Sequence, residues 1–399
     1  MTHVDDPTGK AEPTRVAVLN AYSSHNLGDA LLIENGVQAI RRIRPGAEIV
    51  AMAADAPSFE GRLEHATVIP SVIGSPRDMV RLPSALLAIL SGGRLGSRRL
   101  RALRDVDEAF SVGGGFLQFR RLREVITIVS VHVLQLGMCR RLGLPITMFP
   151  QSVGPFGGRL TTALGRRVLS WFRLILVREQ RSEEYVKRIA PELADRVRLA
   201  PDLALLSPGR PIAEPPTPPR VGIVVRQWWF PAHRDPTGAF HRYVEAVAGL
   251  LSWLRTNGSP VELVIQSNGP LHRGDDRIAA RAVVEQLGAP VEIVDLEPRE
   301  SANAAISRYG RYDVLVATRM HAALMGLLSG TPTIAIAYEA KTPGVFESLG
   351  LTEWVVDIVD VTAEALIDRV VALPRYPCAD ATAAIRRQRD RLLDILDAV

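Results

Sequence analysis

Hydrophobic and polar positions alternate between two periods along this chain. Residues 15–22 (RVAVLNAY) form an apolar run of strand length, and a polar loop covers 23–29. Leu32, Gly36, Ile40 and Ile43 then recur at helical spacing. The rhythm returns with a strand at 108–112 and a helix over 124–142. Apolar runs at 146–149, 174–177 and 197–199 complete the first set of predicted strands. Such repetition predicts a parallel sheet covered on both faces.

The segment 207–220 (SPGRPIAEPPTPPR) breaks the rhythm with six prolines and predicts a stiff extended linker. Beyond it strands are predicted at 221–225, 261–266, 291–296, 313–317 and 331–337, separated by helices near 240–255, 276–287, 301–309 and 321–329. A terminal amphipathic helix over 380–399 takes Asp380 as its N-cap. The expected fold class is therefore α/β, with two doubly wound, Rossmann-like domains facing a cleft. The expected division is a flexible tail at 1–14, a first domain at 15–206, the linker, and a second domain at 221–399. Ligands of such sheets bind beyond the carboxyl ends of the strands, so the cleft is the expected site.

One segment stands apart. Residues 77–104 hold an apolar run at 82–90, then RLGSRRLRALR with five arginines in eleven residues. Such a segment is either a solvated amphipathic face or a peripheral contact with an anionic membrane.

Composition narrows the class. A chain of 399 residues, 47% hydrophobic and 23% charged, has the balance of a globular protein with two cores. Two cysteines, Cys139 and Cys378, allow at most one bridge, which fits a reducing compartment. No apolar stretch is long enough to span a membrane, and residues 1–15 lack a signal pattern, so a cytoplasmic location is expected. A net charge of +5 favours anionic partners, and nothing in the pattern points to nucleic acid. Only three lysines occur, Lys10, Lys187 and Lys341, and the third sits just after a predicted strand.

Familiar cofactor signatures are missing. No lysine completes a Walker loop, and the Gly113-Gly114-Gly115 triplet lacks the third glycine of a dinucleotide fingerprint. No Gly-x-Ser-x-Gly elbow occurs, and the eight histidines are scattered, so no metal or redox cofactor is expected. What remains is a set of polar residues at strand ends: Arg178, Arg226, the Thr318-Arg319-Met320-His321 run, and Glu339 with Lys341. Singly each is an ordinary loop residue. Together they place cations beside helix N-termini, which suits a small polyanion carrying phosphate, carboxylate or both. In the first domain, Asn26, Gly28 and Asp29 form a strand-to-helix turn in which Asp29 is the expected cap. Gly113–Gly115 permit close backbone approach of a helix or a substrate, and His25 is either a base or a solvated loop residue.

The segments NAYSSHNLGDALL (20–32), SVGGGFLQ (111–118), PQSVGPF (150–156), VREQRSEEYV (177–186), APDLALL (200–206), SNGPLHRGDD (267–276) and ATRMHAALMGLLSGTPTIAIAYEAK (317–341) occur in this order. Together they resemble the polysaccharide pyruvyl transferases, and the last block is the most specific. Two positions depart from that family's usual pattern. Ala30 stands where an acidic residue is usual, and Ala317-Thr318 where Gly-Met is usual, both bearing on acceptor choice. The resemblance implies a GT-B-like architecture and transfer of pyruvate from phosphoenolpyruvate to a sugar as a ketal, with no cofactor. It implies that Arg319 and His321 are catalytic and that Arg226, Arg319, Lys341 and Arg178 bind the donor. Asn26, Gly28, Asp29, Gly114, Gly115 and Gln151 would face a sugar or lipid-linked glycan acceptor. Two other classes share these features: a GT-B glycosyltransferase using a nucleotide sugar, and a non-catalytic glycan-binding homologue.

Overall fold

The computed structural model describes residues 15–74, 76–119, 128–268, 274–295 and 300–399. The expected tail at 1–14, the start of the helix at 124–142 and part of the 267–276 motif lie outside the described residues. Two parallel sheets form the frame. The first contains β1 (Arg15–Ala21), β2 (Glu48–Ala53), β3 (Ala66–Pro70), β4 (Glu108–Ser111), β5 (Ile146–Gln151), β6 (Leu174–Val177) and β7 (Val197–Leu199). The second contains β8 (Val221–Val224), β9 (Val261–Ile265), β10 (Glu292–Asp295), β11 (Val314–Ala317), β12 (Thr333–Ala337) and β13 (Val355–Asp357).

The spatial orders are β3-β2-β1-β4-β5-β6-β7 and β10-β9-β8-β11-β12-β13. Each sheet reverses direction of growth once, between β1 and β4 and between β8 and β11. The loops after those strands part there and leave a crevice. The central strands are buried apart from Arg15 at the start of β1, as the continuous apolar runs require of a sheet covered on both faces.

Three strands escaped the sequence pattern. β3 is a partly exposed edge strand ending in Pro70, and β13 is only three residues long at the opposite kind of edge. β2 is a short buried run whose period does not separate strand from helix. Two caps also differ from expectation. The first helix, Leu27–Ile43, is capped by Asn26, whose Oδ1 accepts from Gly28 N at 3.2 Å, while Asp29 lies in its first turn. The last helix begins at Cys378 after Pro377, which leaves Asp380 inside the first turn.

The proline-rich linker is not a free hinge. Arg210 N donates to Leu328 O at 2.9 Å, Ala213 N to Gly330 O at 3.0 Å, and Ile212 is buried against the second domain. The domains are also tied across the cleft. Glu34 takes Arg62 through Oε1 and caps helix Ala302–Tyr309 through Oε2, at 2.8 Å from Ala302 N. Helix Cys378–Asp397 returns to the first domain, where Asp397 pairs with Arg42 at 2.6 Å and Arg389 Nε donates to Leu206 O at 3.1 Å.

Candidate active site

The loops after the two switch points enclose a cavity of about 530 Å³. Asn26, Asp29, Gly114 and Gly115 reach it from the first domain, together with Arg178 after β6. Arg226, Arg319, His321 and Lys341 reach it from the second. Two of the expected acceptor residues do not line it. A Cβ on Gly28 would sit 2.7 Å from Cβ and Nδ1 of His321, so that glycine lets the two domains approach rather than meeting a ligand. Gln151 is 1% exposed, and its Nε2 donates to Ser111 O at 2.7 Å, which commits the amide to the sheet interior.

The cations differ in what they are free to do. Arg319 Nε lies 2.8 Å from both oxygens of Asp276, and Nη2 donates to Asp276 Oδ1 at 2.6 Å and to the Gly274 carbonyl. The guanidinium expected to bind the donor is thus paired internally through Nε and Nη2, because a buried guanidinium takes the nearest carboxylate. Burial pushes the Asp276 carboxyl above its ordinary value, and Arg319 pulls against that rise. Arg178 is equally committed: Nη1 donates to Asp202 Oδ2 at 2.8 Å, Nη2 to Gly114 O at 2.5 Å, and Nε to Ser152 Oγ at 2.9 Å. Burial raises Asp202, but Arg178 and His321 outweigh it and hold the carboxyl well below the usual range. His321 Nε2 is 3.6 Å from Asp202 Oδ2 and 3.4 Å from Arg178 Nη1, so a first-domain ion pair supports a second-domain imidazole.

Lys341 Nζ pairs with Glu339 at 2.6 Å and lies 5.4 Å from the centre of the Tyr338 ring. Burial opposes the ammonium, yet Tyr338 and Glu339 raise its pKa above the ordinary value, so it stays charged. Arg226 stacks over Tyr338 at 4.1 Å and donates to its hydroxyl. Among the described residues no carboxylate lies within ion-pair distance of it, and its buried Nε has no partner. Asn20 Oδ1, Gln266 Nε2 and His132 Nδ1 are further cavity-lining residues' atoms buried without a partner among the described residues. His25, whose Nδ1 is 3.4 Å from Asn268 Oδ1, also lines the cavity. Among the described residues no group of three histidines, cysteines or carboxylates is placed to hold a metal ion.

Sequence reasoning assigned no role to Asp202, Asp276 or His132. Asp202 and Asp276 had a usable signal, since Asp202 follows a predicted strand and Asp276 starts a predicted helix. His132 had none, being one position in an apolar helical run. It lies in a π-helical stretch, Val129–Val133, a distortion frequent at functional sites. Its ring stacks on Phe116 with centroids 4.7 Å apart. Burial pushes its pKa down to about 4. The sign follows from that shift. Below about pH 6.5 the unfolded chain takes up a proton that folded His132 refuses until about pH 4, so stability falls across that window. His132→Phe is expected to recover about 2 kcal/mol of the loss between pH 7 and 4.5. Urea titrations at the two pH values measure it, and equal acid sensitivity in both proteins would rule out this ring as the source.

Two stacked parallel-sheet domains with a ligand-sized cleft at their switch points define a GT-B-like protein. Solved structures share the arrangement over nearly their whole length. Anabaena HepE in complex with UDP and glucose aligns with a TM-score of 0.57 at 10% identity, covering 97% of each chain. A Rickettsia africae glycosyltransferase gives 0.57 at 12% identity, covering 98% of this chain and 97% of the other. The S. aureus MnaA–UDP complex gives 0.56 at 10% identity, covering 97% and 98%. At such identities the likeness concerns the fold alone. Sequence is more specific. The model of the polysaccharide pyruvyl transferase family matches residues 26–340, spanning both domains and the cleft between them, and the chain belongs to that family. The amylovoran biosynthesis protein AmsJ of Erwinia amylovora is 24% identical over 311 residues, covering 73% of this chain and 71% of AmsJ.

Proposed function

We propose that this protein transfers pyruvate from phosphoenolpyruvate to a sugar of an exopolysaccharide or its lipid-linked precursor, forming a ketal and releasing phosphate. The observation that carries the reading is a cavity lined by Arg178, Arg226, Arg319 and Lys341 around His321, in which Arg226 has no carboxylate partner among the described residues. Arg178 and Arg319, each neutralised by a buried aspartate, fix the walls. Arg226, with Lys341 beside it on the Tyr338 ring, supplies donors to a phosphate. The likeness to AmsJ supports a place in exopolysaccharide assembly.

The chemistry balances with the groups present. A proton goes to the methylene carbon of the donor, and a sugar hydroxyl adds to the adjacent carbon. Phosphate then leaves with the C–O electron pair, and a second hydroxyl closes the ketal. One hydroxyl proton replaces the proton delivered to the methylene, and the other leaves with phosphate. His321 stands among the cavity's cations to hold and deliver that proton, with Asp202 as counter-charge to its protonated form. On the first-domain side, Asn26, Asp29 and the Phe116–His132 stack face the acceptor, where a flat ring pair suits the apolar face of a sugar.

Incubation with phosphoenolpyruvate and candidate glycans, with released phosphate and product mass followed, tests the reading. Release of a nucleoside diphosphate from a nucleotide sugar, with phosphoenolpyruvate untouched, would replace it with glycosyl transfer. Arg226→Gln should weaken donor binding by about 10–100-fold, the cost of one charge-assisted contact, while the melting temperature holds. Calorimetric titration with the donor measures this. Unchanged affinity would remove Arg226 from the donor site.

A further inference from the structure

The first domain leaves large apolar side chains uncovered along the segment 80–95. Val80 is 82% exposed, Leu90 74% and Leu95 60%, and Leu86 and Leu87 are nearly half exposed. Within helix Leu82–Leu90 the leucines at 86, 87 and 90 share one side, whereas the buried positions are the small Ala85 and Ala88. The packing of this helix is thus satisfied by alanines, and its larger side chains are presented outward. Three exposed leucines on one side of a helix, flanked in sequence by exposed Val80 and Leu95, mark a candidate contact site.

The surroundings say what kind. Arg94 and Arg98 are exposed in the same segment, and Arg140 is exposed on helix Leu134–Leu142, which packs against Leu82–Leu90. Arg141 of that helix ties the two together by donating to Leu90 O at 3.4 Å. Other arginines of the segment are already committed, Arg81 to Asp78 at 2.5 Å and Arg99 to the Ser71 carbonyl at 2.6 Å. A second copy docked here about a two-fold axis would set arginines against arginines. An anionic bilayer offers acyl chains to the leucines and phosphates to the arginines at once.

We propose that this face docks on an anionic lipid bilayer, with the leucines at the headgroup boundary and Arg94, Arg98 and Arg140 on lipid phosphates. Ile128, Val131 and His132 immediately precede helix Leu134–Leu142 and line the cavity, so the docked face belongs to the layer that builds the first-domain wall of the cleft. Among the described residues no helix is long and apolar enough to cross a membrane, so the contact is peripheral. The inference concerns where the protein sits and does not depend on the donor assignment.

The test is co-sedimentation of the full chain with phosphatidylcholine vesicles, with and without phosphatidylglycerol. Binding is expected only with the anionic lipid, weakening as salt rises. Each arginine near such a surface multiplies affinity by about five, so Arg94→Gln with Arg98→Gln and Arg140→Gln should weaken binding about 100-fold. All three side chains are exposed, so the fold should survive. Leu90→Gln with Leu95→Gln should reduce the binding that persists at high salt. Failure of the parent protein to bind anionic vesicles would overturn the proposal, as would binding untouched by both variants. A concentration-dependent dimer dissolved by the leucine changes, without lipid binding, would assign the face to a second copy instead.

Discussion

His321→Gln is expected to slow turnover by about 10²–10⁴-fold, the usual range for losing a positioned acid–base group, with donor affinity little changed. Glutamine keeps a hydrogen-bonding group beside Asp202 and Arg178 but cannot hold a proton for transfer. The site makes this a clean comparison. Gly28 closes over one side of the ring, with its missing Cβ 2.7 Å from Nδ1, and Asp202 stands 3.6 Å from Nε2 on the other. The replacement is therefore held near the original position, and a rate loss reports chemistry rather than wandering of the side chain. Single-turnover phosphate release measured beside donor affinity separates the roles. Collapse of donor binding with normal chemistry per bound donor would make His321 a ligand and leave the proton source to another group.

The strand ends were legible because a charged residue after four or five buried apolar ones is a sharp boundary. Arg178 and Arg226 announce themselves that way, Arg319 and Lys341 follow one and three residues later, and all four reach the cavity. What sequence could not convey is which of these charges is already used. Asp202 lies 24 positions from Arg178 and Asp276 lies 43 from Arg319, so the pairings exist only after the sheets order their strands. The same holds for Gly28, which reads as a turn glycine but is required by a histidine from the other domain. Gln151 shows the opposite error. It ends a strand beside a predicted site, yet its alternation turns the amide toward Ser111 in the interior. The linker was readable as irregular from its prolines, but its attachment to Leu328 and Gly330 rests on tertiary hydrogen bonds.

The buried pair of Arg319 and Asp276 carries the other large expectation. Asp276 also accepts from the backbone N–H groups of Gln266 and Ser267, at 3.3 and 3.0 Å, so it joins the end of β9 to the loop after β11. Asp276→Asn would strand a guanidinium that is 6% exposed, and breaking a buried pair from one side costs about 3–5 kcal/mol. For a domain of this size that lowers the melting temperature by on the order of 10 °C. Arg319→Lys keeps the charge but not the fork, since an ammonium cannot reach both carboxylate oxygens and the Gly274 carbonyl in one plane. It should lose part of that stability and much of the activity. Replacing both residues by apolar ones of similar volume removes the stranded charge, so Arg319→Met with Asp276→Leu should melt above Asp276→Asn alone. Thermal melts of the set, beside donor titrations, decide between two roles for Arg319. A normal melt with lost donor affinity in Arg319→Lys would restore it as a direct ligand. A lowered melt, with donor affinity falling only in step with the folded fraction, would make it the brace that holds the rim on which Arg226 and Lys341 work.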